Sequence, residues 1–209
     1  MSTAPHSLQD LTAAAVHALT AERHGIADAL QHVPPCPGLY AIYGDEQAWR
    51  DLELEPAPQA PLYVGKAKSS LAKRELGDHF AINVNKIPQT GSSTVRRSFA
   101  ALLRHALDLH AVPRNLDKPG YYSNYGLAAG GDTRLSAWMQ ANLAIAVWPI
   151  PEGSVALLNS IEDAVIDHFR PPINIAGNRS KSARLSRERA EMTAEAAAWR
   201  PGAHTRTLA

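Results

Sequence analysis

The stretch from Pro61 to Phe80, PLYVGKAKSSLAKRELGDHF, limits what the chain can fold into more than any other. A short apolar run, Leu62-Tyr63-Val64, passes through Gly65 and then presents Lys66, Lys68, Lys73 and Arg74 before His79. A strand, a glycine and a series of cations let a backbone approach a ligand anion. A buried strand followed by a solvated basic helix has the same pattern, and the stretch alone does not separate the two. A phosphate-binding P-loop is excluded, because Ala60 and Ala67 stand where that motif needs Gly and Ser or Thr. Helical spacing of Ala72, Leu76 and Phe80 predicts a helix from about Ser70 to Phe80, with Arg74 on its opposite side, in water or in a cleft. Asp78 offers Arg74 a surface ion pair as the alternative.

The neighbouring segments set this stretch in an α/β context. Gly38-Leu39-Tyr40-Ala41-Ile42-Tyr43-Gly44 is an apolar, aromatic run bounded by glycines and predicts a central strand. If it pairs with residues 62–64, Tyr40 and Tyr63 stand side by side near one sheet edge. Residues 45–60 carry Asp45, Glu46, Asp51, Glu53 and Glu55 and predict a solvated acidic loop. Before the first strand, Ser7 can cap a helix with Leu8, Leu11, Ala15, Ala18 and Leu19 on one face. Pro34, Pro35 and Pro37 then break helical structure. His17, His24 and His32 have no acidic partner at ligand spacing, so a metal site is not expected there. The 209 residues, 45% of them hydrophobic, suffice for one domain with terminal additions.

Further on, Val95, Phe99, Leu102, Leu103, Ala106 and Leu107 mark an amphipathic helix with Arg96 and Arg104 on one flank. Residues 111–132 turn irregular around Tyr121, Tyr122 and Tyr125, which can stack on bases or simply pack the loop. Asp132 or Thr133 can cap a helix reaching Asn142, and Leu143 to Val147 predicts a third strand. In the next helix, Ser154 to Phe169, Glu162 falls about 40° from Leu158 and inside the arc of Ile161, Val165, Ile166 and Phe169. A carboxylate on an apolar face needs an ion pair, a proton or a metal. Ion pair and metal ligand both stay open. Pro171 and Pro172 stop that helix and deliver Asn174 at a fixed offset from Glu162. Beyond it, Arg179, Lys181, Arg184, Arg187 and Arg189 face Glu188 alone, ahead of a helix with Leu185, Met192, Ala196 and Trp199 on one side.

The formal charge of +1 implies no global attraction to nucleic acid, so any such surface has to come from local clusters of the 21 Lys and Arg. A single cysteine, Cys36, allows no internal disulfide and fits a reducing compartment. Neither a leader pattern at residues 1–10 nor a long apolar run is present, so the expected setting is cytoplasmic, away from membranes.

Gly38-Leu39-Tyr40, Tyr63-Val64-Gly65-Lys66, Arg74, His79, Glu162 and Asn174 stand in an order that resembles the GIY-YIG nuclease superfamily. The triplets read GLY and YVG here, and the Glu162 helix ending in Pro-Pro-Ile-Asn is similar to the family's pattern. The resemblance implies a small α/β sandwich, a three-stranded sheet flanked by helices, over residues 33–178. A helical appendage at 1–32 and a basic helix and tail at 179–209 would be added to it. It implies cleavage of DNA phosphodiesters with one divalent ion, Mg2+ or Mn2+. Tyr40 would help activate water, Tyr63 would orient it or bond the phosphate, and Arg74 would contact the scissile phosphate. Glu162 would bind the metal and Asn174 would organise the site from behind. His79 transfers less directly, since five residues on a helix turn it about 140° from Arg74. Lys66, Lys68, Lys73, Arg96, Arg104, Arg184 and Arg187 are the expected DNA contacts. The alternative is an inactive nucleic-acid-binding module of the same fold, or an interaction module in which Glu162 and Arg74 pair.

Overall fold

The computed structural model describes residues 7–57, 59–73, 80, 90–115, 122–175 and 182–200. Along the chain these form α1 (Leu8–Ala21), β1 (His24–Gly25), β2 (Gly38–Gly44), α2 (Glu46–Asp51), β3 (Tyr63–Ala67) and α3 (Thr94–Leu102). They continue with β4 (Ala111–Val112), β5 (Gly126–Leu127), α4 (Gly131–Asn142), β6 (Leu143–Pro149), α5 (Leu158–Phe169) and α6 (Ala183–Ala198).

The main sheet is antiparallel and has the order β1-β6-β2-β3. It has four strands, not the expected three. The extra one is His24–Gly25, which pairs with Ile145 and Ala144 of β6. Two residues carry no period, so nothing in the local sequence announces them. β2 is central and buried along its whole length except at Gly44, as its unbroken apolar run requires. Gly38 permits that fit: a Cβ there would collide with the Trp148 carbonyl and lie 2.9 Å from Leu71 Cδ1.

Alternation along the strands divides the core into two layers. Leu39, Ala41, Tyr43, Val64, Ala146 and Trp148 pack with α1 and α5. Tyr40, Ile42, Ile145 and Ala67 face a larger cluster built with residues of α2, α3, α4 and α6. Ser7 caps α1 as expected, accepting from the Asp10 N–H at 3.1 Å. With Leu11, Ala15 and Leu19 buried against the sheet, α1 is a full layer of the sandwich. Leu185, Met192 and Ala196 likewise bury α6 in the larger cluster.

Two expectations about local structure change. The acidic stretch after β2 is not simply a loop: Asp45 caps α2, accepting from the Ala48 N–H at 2.7 Å, and Ala48, Trp49 and Leu52 are buried. Asp51 accepts from the Trp138 indole at 2.7 Å, so its charge is structural. α4 starts at Gly131, behind Gly130 at φ 80°, and Asp132 does not cap it. Its carboxylate instead accepts from the Thr90 N–H at 3.0 Å and hydroxyl at 2.6 Å. Tyr125 is a packing residue, 0% exposed, with its hydroxyl donating to the Arg97 carbonyl at 2.7 Å. Burial pushes that phenol up to about 12.

Candidate active site

β3 is the edge strand of the sheet, and the candidate residues gather around it. The register opposes Tyr40 to Gly65 and Ile42 to Tyr63, so the two tyrosines share one face on a diagonal. Their ring centroids lie 6.0 Å apart at 32°. Gly65 makes this arrangement possible. A Cβ there would fall 2.5 Å from Cζ of Tyr40 and 2.8 Å from Cε1 of Tyr63. Close approach is the reason for the glycine, but what approaches is a tyrosine ring rather than an external anion.

Lys66 is the next residue along β3 and therefore points to the α5 side. There its ammonium donates to Oε2 of Glu162 in an ion pair, with the side chains 25% and 14% exposed. The position of Glu162 within the apolar arc of α5 follows the predicted spacing, while Asp163 and Asp167 are exposed. Asn174 sits beneath the strand, 4% exposed. Its Oδ1 accepts from the Val64 N–H and its Nδ2 donates to the Val64 carbonyl, both at 2.8 Å. The Ile173 N–H adds a bond to the Leu62 carbonyl at 3.0 Å. The turn after α5 thus clips the outer edge of β3 between Tyr63 and Lys66.

A cleft of about 520 Å³ opens over this edge, lined by Tyr40, Tyr63, Lys66, Lys68, Ser70, Lys73 and Glu162, with Ala67 and Ser69. Tyr40 is 0% exposed, so Tyr63 is the solvent-facing member of the pair. Lys68 and Lys73 are exposed at the mouth. Ser70 accepts from the Lys73 N–H at 3.2 Å and opens the helical turn at Leu71. A second hollow of about 220 Å³ adjoins the first, sharing Tyr63, Lys66 and Glu162 and adding Thr94, Asn174 and Ile175. Thr94 carried no motif and no periodicity signal. Arg74 and His79 lie outside the described residues.

The remaining arginines expected to meet DNA have other partners. Arg96 is 0% exposed and donates to the Asp132 carboxylate at 3.0 Å and the Ser136 hydroxyl at 3.1 Å. Burial lowers its pKa and Asp132 opposes that shift. Val95 to Leu102 are all buried, because both flanks of α3 are covered by later elements, which a single-helix periodicity does not register. Arg104 donates to Glu191 at 2.6 Å. Arg184 bonds the Leu52 carbonyl and pairs with Glu53 at 3.1 Å, tying α6 to the end of α2. Arg187 is largely exposed and pairs with Glu188 at 3.2 Å. None of these four lines the cleft.

Among the described residues no three His, Cys, Asp or Glu side chains gather as a metal site, and no helix is long and apolar enough to cross a membrane. No curated protein and no solved structure is significantly similar to the chain. Residues 44–191, well over half of the chain, match the model of the GIY-YIG catalytic domain; with the GLY triplet just upstream and the YVG strand, Glu162 and Asn174 within the match, the chain belongs to the GIY-YIG family of nuclease-type domains.

Proposed function

We propose that the chain is a metal-dependent endonuclease that hydrolyses DNA phosphodiester bonds in the cleft over β3. The observation that carries this reading is the convergence of Tyr40, Tyr63, Lys66 and Glu162 on one cleft with Lys68 and Lys73 at its mouth. Two lysines at an open rim attract a polyanion and hold it by point charge. Tyr63 is placed to bond a phosphate oxygen or orient a water, and Tyr40 stands behind it. Arg74, just beyond the described Lys73, is the proposed contact to the scissile phosphate, where a planar guanidinium meets two oxygens at once.

A partly buried carboxylate at a polar cleft fits a hard divalent cation such as Mg2+ or Mn2+, which keeps most of its ligands as water and substrate oxygens. Glu162 would hold it, and the ion when bound supplies positive charge beside the phosphate and its leaving oxygen. Lys66 is the counterion of Glu162 in this structure. Release of that ammonium leaves Lys66 free to favour ionisation of a neighbouring tyrosine or water. Asn174 contributes by fixing the strand that carries both Tyr63 and Lys66.

The same Lys66–Glu162 pair favours a second reading, a nucleic-acid-binding module that does not cut, because the carboxylate already has a countercharge. Supercoiled plasmid separates the two. The expected result is nicking with Mg2+ or Mn2+, none with chelator, and a loss of about 10² to 10³ in rate for Glu162→Gln with binding retained. A folded wild-type protein that binds plasmid and never nicks it with either ion would overturn the endonuclease reading.

A further inference from the structure

The arginines around α3 and α6 fall into two groups. Arg96, Arg104, Arg184 and Arg187 each pair with a carboxylate, at 3.0, 2.6, 3.1 and 3.2 Å. Arg97, Arg114 and Arg189 have no such partner among the described residues. Arg97 is 7% exposed and fixed from two sides, donating to the Gly91 carbonyl at 2.8 Å and to Thr94 Oγ1 at 3.0 Å. Arg189 donates to Ser98 Oγ at 3.1 Å and reaches the Thr94 carbonyl at 3.4 Å. The exposed Arg114 lays its stem over Gly91, where a Cβ would fall 2.7 Å from its Cγ. Three guanidinium side chains therefore meet at the N-terminal turn of α3, whose dipole adds to the positive potential.

Clustering like charges costs stability, and the neighbouring arginines avoid that cost by pairing with acids. The repulsion is felt. Burial first, and then Arg189 and Arg114, push the Arg97 guanidinium down to about 10. Its buried Nε has no hydrogen-bond partner among the described residues. Local violations of this kind concentrate at functional positions. Thr94 connects the cluster to the cleft: it lines the hollow with Tyr63, Lys66, Glu162 and Asn174, and its oxygens hold Arg97 and Arg189.

We propose that Arg97, Arg114 and Arg189 form a phosphate subsite that takes a backbone phosphodiester of the bound DNA away from the scissile bond. The subsite rests on the nuclease reading above. Arg97 is held rigid and supplies the field, while Arg114 and Arg189 supply the contacts. A strand lying in the cleft passes Thr94 and meets the cluster there.

The test is a salt series of fluorescence-anisotropy titrations with a labelled DNA duplex, in chelator, on the Glu162→Gln protein. Adding Arg114→Gln and Arg189→Gln is expected to flatten the slope of log K against log salt by about one unit for each phosphate that the protein ceases to neutralise. Arg50→Gln removes a cation paired with Glu46 on α2 and is expected to leave the slope alone. If the double variant melts early, Arg114→Gln by itself decides, since that side chain is exposed. An unaltered slope, or an equal flattening by Arg50→Gln, overturns the subsite while plasmid cleavage keeps the nuclease reading. A wild-type protein that neither binds nor cuts DNA overturns both.

Discussion

Asn174→Ala removes the side chain that fastens the edge of β3. The amide makes two hydrogen bonds of 2.8 Å to the backbone of a single residue, Val64, and is 4% exposed. Each bond contributes about 1 kcal/mol net, and a buried group left without a partner costs about 1–3 kcal/mol. Because β3 is an edge strand, water can enter and satisfy part of the deficit, so the expected cost is about 2–4 kcal/mol. For a chain of this length that is roughly 5–15 °C in Tm. Urea denaturation of the metal-free protein measures it without reference to activity. Cleavage should fall as well, because Val64 lies between Tyr63 and Lys66 and its backbone sets the position of both. Asn174→Asp keeps the acceptor for the Val64 N–H but turns a carboxylate oxygen toward the Val64 carbonyl. It should therefore be no more stable than the Ala variant at neutral pH. An Ala variant that loses less than about 0.5 kcal/mol and cleaves at the wild-type rate would refute the clip.

Gly65→Ala should impair cleavage by about 10² or more while leaving a folded protein, because the added methyl displaces the Tyr40 ring from its place 2.5 Å away; near-ultraviolet circular dichroism and a single-turnover assay report the two effects, and unchanged kinetics would detach Tyr40 from the chemistry. Asp132→Ala should cost about 3–5 kcal/mol in urea denaturation, since it removes the carboxylate that balances the charge of the fully buried Arg96. The double variant Asp132→Ala with Arg96→Met should recover part of that loss, and no recovery would mean that the Thr90 bonds to Asp132 carry the stability instead.

What could be read along the chain and what could not divide by the distance over which a residue finds its partner. The Gly-bounded run at 38–44, the apolar arc around Glu162 and the proline stop before Asn174 are local, and each appears where its pattern puts it. The role of a charge is not local. Arg96 finds Asp132 36 positions away, Arg104 finds Glu191 87 away, and Lys66 finds Glu162 96 away. Composition counts such cations as available for DNA because it cannot count their counterions. The same distance hides the role of Asp51 in α2, which accepts from the Trp138 indole 87 positions away, whereas the Asp45 cap three residues from Ala48 is local.

One constraint on the site was present in β3 itself. Tyr63 and Gly65 lie on one face of a strand and Lys66 on the other, so a site using all three cannot sit on either face of a sheet. It must wrap around an edge, with β3 as the last strand. An edge strand then has outward N–H and C=O groups that no further strand satisfies. Asn174 is the answer to that problem: a side-chain amide offers one acceptor and one donor, the same pair that a neighbouring strand would present, without covering the cleft. The need for an amide behind the YVG strand therefore follows from placing a lysine and a tyrosine on opposite faces of it.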